Sequence, residues 1–408
     1  MVMTNKEILN KILADGQGVL RLMPVFVPRR FGTAGRRLRL HPDDYFALGT
    51  ARGSIKERWF SSIIAAMNGP DAAPDEGMSY VDLGDDTGCG AQNGEKISLK
   101  EFVEVLGADL LGQRMMEQYG TWPMYSKFFD YEGPLFHHLH LDFEAAARVG
   151  RLGKPEAYYY PPQMNNVAGN SPYTYFGFSP EVTREEVRER LLGYESRDTR
   201  ITELSRAYRI QLGTGWYTPP GVVHAPGSYL TYEPQWNSDV NSVYENVVQN
   251  EIYPYDMLSE NCPEDKKRDI DYILDLMDWD KNVDPDYRKH YFRPPIICTE
   301  TGEMIEKWIV YANPYIAAKE LTVFPGCEVT VADDTPYGCI LVQGHGTING
   351  RLCEAAGMLR FGQRSADEWF VSYSAAQSGV VIRNESSCEP LVMLKHFPYY
   401  DKVPCAEK

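Results

Sequence analysis

Closely spaced cysteines are missing from this chain. Its eight cysteines run from Cys89 to Cys405 without a pair at metal-binding spacing, so a cysteine-held zinc or a dense disulfide framework is excluded. In a chain of 408 residues they read as reduced, mostly buried thiols, and the expected compartment is the cytoplasm. No apolar run approaches the roughly 20 residues that a membrane-spanning helix needs. The opening MVMTNKEILNKIL lacks the charged-then-apolar order of a secretory signal. Positive charge is also short, with 41 Lys and Arg against 57 Asp and Glu and a net charge of −16. That balance excludes a sequence-independent nucleic-acid surface. It leaves an anionic small substrate open, because a few local cations suffice to bind one. With 43% hydrophobic and 24% charged residues there is no compositional case for disorder.

The length is enough for a large core and two or three modules. Capping-box spacing at Thr4–Glu7, Ser98–Glu101 and Thr183–Glu186 predicts three helices, each followed by apolar residues at helical intervals. Residues 263–279, with Ile270, Ile273, Leu274 and Met277 on one face, predict a fourth. RLMPVFVP over 21–28 and the stretch 207–212 read as strands, and the Gly/Asp/Pro/Asn-rich 68–94 reads as a long loop. Arg29, Arg30, Arg36, Arg37 and Arg39 cluster around Gly32 and Gly35, either as a solvated loop or as a phosphate-facing edge. Beyond about Asp284 short strand-like runs separated by turns dominate.

The stretch 134–160, PLFHHLHLDFEAAARVGRLGKPEAYYY, carries the chemistry. On a strand His138 and His140 project to one face and His137 to the other. Glu156 follows within Lys154-Pro155-Glu156, and His224 comes after the Pro219-Pro220-Gly221 turn. Three imidazoles and a carboxylate suit a divalent transition metal; zinc fits, and manganese, iron, cobalt and nickel share these donor types.

This order resembles a cupin, and more narrowly the type I phosphomannose isomerase (mannose-6-phosphate isomerase) family. The resemblance is carried by Lys127-Phe128-Phe129-Asp130, Pro134-Leu135-Phe136-His137-His138-Leu139-His140 and Lys154-Pro155-Glu156. It extends to Gly53-Ser54-Ile55-Lys56-Glu57-Arg58-Trp59, Tyr175-Phe176-Gly177-Phe178 and Glu233-Pro234-Gln235-Trp236-Asn237-Ser238-Asp239. It implies a mainly β fold of two cupin-type antiparallel β-barrels with additional helices. Residues 1–280 would form a catalytic cupin with a helical insertion, and 281–408 a metal-free structural one around the isolated His345 and His396. One zinc would be held by His138, His140, Glu156 and His224, with Lys154 and Glu233 catalytic. Lys127, in Lys127-Phe128-Phe129-Asp130, reads either as binding a substrate anion or as a pair for Asp130. The implied activity is metal-dependent interconversion of mannose 6-phosphate and fructose 6-phosphate, with a small sugar or sugar phosphate as partner and neither nucleic acid nor membrane.

Two departures stand out. The family has glutamine where His138 sits, and it carries a catalytic arginine shortly after the Ser-Asp, where this chain reads Val240-Asn241-Ser242. Valine or serine does not replace a guanidinium. The alternatives are isomerisation or epimerisation of an unphosphorylated or different sugar, and a sugar-binding cupin without turnover.

Overall fold

Pro24 divides the first extended stretch. In the computed structural model, which describes residues 4–84, 96–166 and 169–405, the predicted strand over 21–28 becomes two, Val19–Arg21 and Val25–Arg29. They enter different sheets, because proline has no N–H to continue a ladder. The molecule is mainly β and its sheets are antiparallel.

The first half is a pair of facing sheets. One has seven strands in the order Phe292–Arg293, Gly215–Thr218, Glu156–Tyr159, Thr231–Trp236, Met124–Phe129, Ser54–Phe60, Val25–Arg29. The other has five, in the order Ser205–Arg209, Tyr173–Phe178, His224–Ala225, His138–Leu139, Ser242–Val243. Phe129 and Tyr158 of the first meet Phe176 and Val222 of the second in one buried cluster. The second half repeats the plan. A seven-stranded sheet runs Val19–Arg21, Glu368–Val371, Tyr337–Gln343, Leu391–Pro398, Ile316–Val323, Met304–Val310, Ile296–Glu300. Its partner has four strands, Glu328–Val331, Val380–Asn384, His345–Ile348 and Arg351–Glu354. The ladders do not run continuously from one sheet of a pair to the other, so the barrels expected from the sequence are sandwiches rather than closed ladders. Asn349 and Gly350 both take positive φ, 46° and 75°, which is the hairpin turn that Asn-Gly favours.

The two halves share a core. Period-two alternation on the first seven-stranded sheet sends Phe128, Ala157, Tyr159 and Tyr232 outward against Ile340, Val392 and Leu394 of the second half. The same alternation turns Lys127, Glu156, Tyr158 and Glu233 inward. The Ser54–Phe60 strand is buried along its whole length, unexpectedly for a sequence holding Lys56, Glu57 and Arg58. Each charge has partners there. Lys56 donates to the carbonyls of Arg29 and Ser54, Glu57 pairs with Arg29, and Arg58 forks onto Asp367 at 2.7 and 2.8 Å. His396 also lies at this junction, its Nδ1 2.9 Å from both Ser126 Oγ and the Tyr232 hydroxyl, and burial lowers its pKa to about 3. His345 is exposed at the start of its strand.

The capped helices form as predicted over Asn5–Asp15, Leu99–Leu106 and Arg184–Leu192. The helix expected over 263–279 is broken into a turn at Glu264–Lys266 and short helices at Ile270–Asp275 and Trp279–Asn282. Asp269 and Asp278 accept backbone N–H groups as N-caps, so each restarts a helix instead of continuing one. The strand expected at 207–212 runs over Ser205–Arg209. Residues 68–84 carry only turns and the short strand Tyr80–Val81, while 85–94 of that expected loop, with Cys89, lie outside the described residues. The seven described cysteines are unpaired. Among the described residues no helix is long and apolar enough to cross a membrane.

Arg58 makes a fully buried ion bridge between the halves, and Glu368 stands 3.8 Å from it. Arg58→Met should therefore destabilise the chain by about 3–5 kcal/mol, the cost of stranding a buried carboxylate. Adding Asp367→Leu should recover part of that loss. Urea unfolding of the two variants beside the parent checks both.

Candidate metal centre

His138 and His224 are register partners on adjacent strands of the five-stranded sheet, so their imidazoles start side by side. His140 follows one pleat later. Its carbonyl accepts the N–H of Gly221 at 2.8 Å, which ties the Pro-Pro-Gly turn to the histidine strand. Gly221 has φ 81°, and a Cβ there would stand 3.1 Å from Asp278, so the turn that delivers His224 requires glycine. The ligand atoms of His138, His140 and His224 lie within 4.8 Å of one another, all buried. His137 points to the opposite face, where its Nδ1 donates to Glu245 at 2.7 Å.

Each of the three imidazoles is anchored from behind. Nδ1 of His138 donates to Phe136 O (3.0 Å), that of His140 to Val240 O (2.6 Å) and that of His224 to Val222 O (2.8 Å). A carbonyl only accepts, so the proton of each neutral ring is on Nδ1 and its Nε2 presents a lone pair. Burial, then the neighbouring His224 and His140, hold the His138 pKa well below its usual value. Burial, then the Lys154 charge, lower that of His140 to about 4.

Glu156 faces these lone pairs from the seven-stranded sheet. Its carboxylate oxygens lie 3.0 Å from His140 Nε2 and 3.1 Å from His224 Nε2. Acceptor therefore meets acceptor. Neither Glu156 Oε1 nor His224 Nε2 has a hydrogen-bond partner, although both are buried, and the one positive group beside Glu156 is Lys154, on Oε2. Such orphaned groups are costly unless something positive sits among them. A divalent cation supplies that charge and takes nitrogen and oxygen donors together, so the residues fit the ion their order suggests.

Two lysines and a second glutamate adjoin the cluster. Lys154 Nζ is 2.9 Å from Glu156 Oε2, donates to His140 Nε2 at 3.1 Å, and lies 3.4 Å from Glu233. Burial opposes the lysine's charge, but Glu156 and Glu233 outweigh it and its pKa is raised. Glu156 shows the reverse: burial pushes it up, yet the Lys154 charge holds it well below the carboxylate range. Glu233 is pushed up to about 8, by burial and then by the charge of Glu156. Lys127, its register partner on the adjacent strand, lies 3.2 Å from it. These groups line a cavity of about 650 Å³ that also holds His138, His140 and Glu156.

The sequence reading did not place Glu57, Arg29 or Asp239 in this cavity. Glu57 accepts from Arg29 at 2.9 and 3.0 Å and from Trp59 Nε1 at 2.9 Å, and its carboxylate stands 3.8 Å from Lys127. Arg29 also binds Asp239 at 2.9 Å. No arginine stands in the residues just after Asp239, Val240-Asn241-Ser242; the guanidinium on that carboxylate comes from the edge strand Val25–Arg29. The signals were present in the basic cluster and in the Gly53–Trp59 stretch, but a pairing across some 210 residues has no local signature. The basic cluster divides: Arg29 and Arg30 face this cavity, while Arg36, Arg37 and Arg39 line a separate one of about 500 Å³.

Two facing antiparallel sheets, repeated, with a histidine-lined cavity in the first pair define the architectural class. Solved structures match this fold over nearly the whole chain. They include the mannose 6-phosphate isomerase of Bacillus subtilis, with TM-score 0.60 and 18% identity over 93% of this chain and 100% of that one. A phosphomannose isomerase from Salmonella typhimurium carrying a histidine-to-glutamine substitution gives 0.61 and 11%, over 94% and 100%. A zinc-bound mannose 6-phosphate isomerase gives 0.60 and 11%, over 94% and 100%. Likeness at these identities establishes the fold. No protein-family model and no curated protein matches the chain.

If an ion occupies the cluster it must stabilise the fold. Zinc at a thousandfold above its dissociation constant should add about 4 kcal/mol to unfolding, and a chelator should remove it. His140→Ala and His224→Ala should abolish both that increment and the stoichiometric metal found by elemental analysis. A full complement of metal in both variants would rule the cluster out.

Proposed function

We propose that this chain is a divalent-metal-dependent aldose–ketose isomerase of the two-cupin kind, resembling mannose-6-phosphate isomerase. Residues 1–280 would be its catalytic cupin and 281–408 a metal-free supporting one. One observation carries the reading: three anchored imidazole lone pairs converge with the Glu156 carboxylate, and His138, His140 and Glu156 line a cavity that also presents Lys154 and Glu233. The fold likeness supports it, since the similar structures are named as mannose 6-phosphate isomerases and one is described as holding zinc.

His138, His140, Glu156 and His224 would hold the ion, probed first with zinc, whose bound charge polarises sugar oxygens. The chain's own groups handle the protons. Moving hydrogen between C1 and C2 requires a group that accepts a proton from one carbon and returns it to the other. Glu233, with its pKa near 8, changes protonation close to neutrality, whereas Glu156 stays ionised. Two carboxylates pushed apart in this way take different roles. Lys154, charged and set between them, stabilises negative charge that develops on a substrate oxygen. Lys127 steadies Glu233 from the adjoining strand and borders the space left for substrate.

Glu233→Gln and Lys154→Met should keep their metal and lose about 10²-fold or more in kcat, the scale of general acid–base assistance. Assay of aldose-to-ketose conversion on metal-replete protein, with elemental analysis of each variant, checks this. Undiminished turnover in both variants would overturn the assignment.

A further inference from the structure

We infer that the cavity accepts an uncharged sugar in preference to a sugar phosphate, a conclusion that rests on the isomerase reading of the same site and names its substrate class. Five lysines and arginines and six carboxylates line the space. Every one of those cations already has a carboxylate beside it. Arg29 is held by Glu57 and Asp239, both at 2.9 Å. Lys127 lies 3.2 Å from Glu233 and 3.8 Å from Glu57, and Lys154 is 2.9 Å from Glu156. Arg52 Nη2 reaches both oxygens of Glu76 at 2.8 Å, and Arg30 pairs with Asp71 at 3.0 Å on the exposed surface.

Two of the six carboxylates are not matched in return. Among the described residues Glu251 accepts from the Gly32 N–H and the Tyr253 hydroxyl, at 3.0 and 2.8 Å. Among the described residues neither Glu251 nor Glu260 has an ion pair within 4.0 Å.

A phosphate ester is bound through charge-assisted donors, most effectively a guanidinium fork free to grip two oxygens. Apart from the solvent-screened Arg30, it would have to take a cation from a buried carboxylate, stranding that carboxylate beside a dianion. An ion at the histidines would offset Glu156 but leave Lys154 beside Glu233 at 3.4 Å and the partners of Arg29 and Arg52 unchanged. Sugar hydroxyls make no such demand. Each donates and accepts, so each can bridge the open lone pairs of the carboxylates and the N–H groups of paired cations. Phe31, Phe129, Phe136 and Tyr158 supply apolar faces for the C–H side of a sugar. Arg36, which has no ion pair among the described residues, lies on the separate cavity and does not alter this balance.

Alditols test the preference without turnover, because they lack the carbonyl that isomerisation needs. Calorimetric titration of zinc-loaded protein with four- to six-carbon alditols and their terminal phosphate esters should find the best alditol bound about tenfold or more tighter than its ester. Free aldoses and ketoses should likewise exceed their terminal phosphates in kcat/KM. Glu260→Lys, which places an unpaired cation on the cavity, should narrow the gap by strengthening the esters. Tighter binding or faster conversion of the phosphates would overturn the inference while leaving the isomerase reading intact. Preferential alditol binding with no sugar converted would do the opposite. Binding of neither class would overturn the inference outright.

Discussion

A buried carboxylate facing imidazole lone pairs is the constraint around which the first half of this protein is arranged. Glu156 comes from one sheet, His138 and His224 from the facing sheet, and His140 from just beyond a strand end. The contacts at 3.0 and 3.1 Å join acceptors to acceptors. In a dry interior that arrangement is unfavourable unless positive charge is shared among the groups. Lys154 supplies some of it, and a divalent ion would supply the remainder. Three backbone carbonyls hold the rings in the tautomer that points Nε2 inward, so the lone-pair geometry is built into the strands.

The charge does not stop at the histidines. From Arg29 through Glu57, Lys127, Glu233 and Lys154 to Glu156, positive and negative groups alternate across neighbouring strands, with successive gaps from 2.9 to 3.8 Å. Each group is buried and compensated by the next, which makes the row tolerable in the interior. The row also differentiates its members. Glu156, beside the Lys154 charge, remains ionised, while Glu233, pushed up by burial and then by the carboxylate it faces, rises to about 8. A single side-chain type thereby acquires two proton affinities from position alone.

Behind the sheet, the second half supplies the wall. Phe128, Tyr159 and Tyr232 project away from the cavity into a core shared with Ile340, Val392 and Leu394. Arg58 reaches across to Asp367, and the Val19–Arg21 strand joins the sheet of the second half. The inward face of each strand can therefore be polar because its outward face is packed against a second protein layer instead of water.

Much of this was legible locally. The alternation of a strand separated His137 from His138 and His140, and helix-capping side chains marked the helices at Asn5, Leu99 and Arg184. Those features depend on neighbours a few residues apart, and a sequence displays them directly. It also held the order His138, His140, Glu156, His224 that suggested a shared centre. Tertiary structure alone decided how far those residues converge, which carboxylate remains charged, and that every cation on the cavity has an acidic partner. It decided too that Arg29, from the first strand of its sheet, would dock on Asp239, and that Pro24 would send the segments on its two sides to different sheets. These outcomes depend on strand pairing and burial between distant segments. Coulomb energy and desolvation act through space, and no spacing along the chain encodes them.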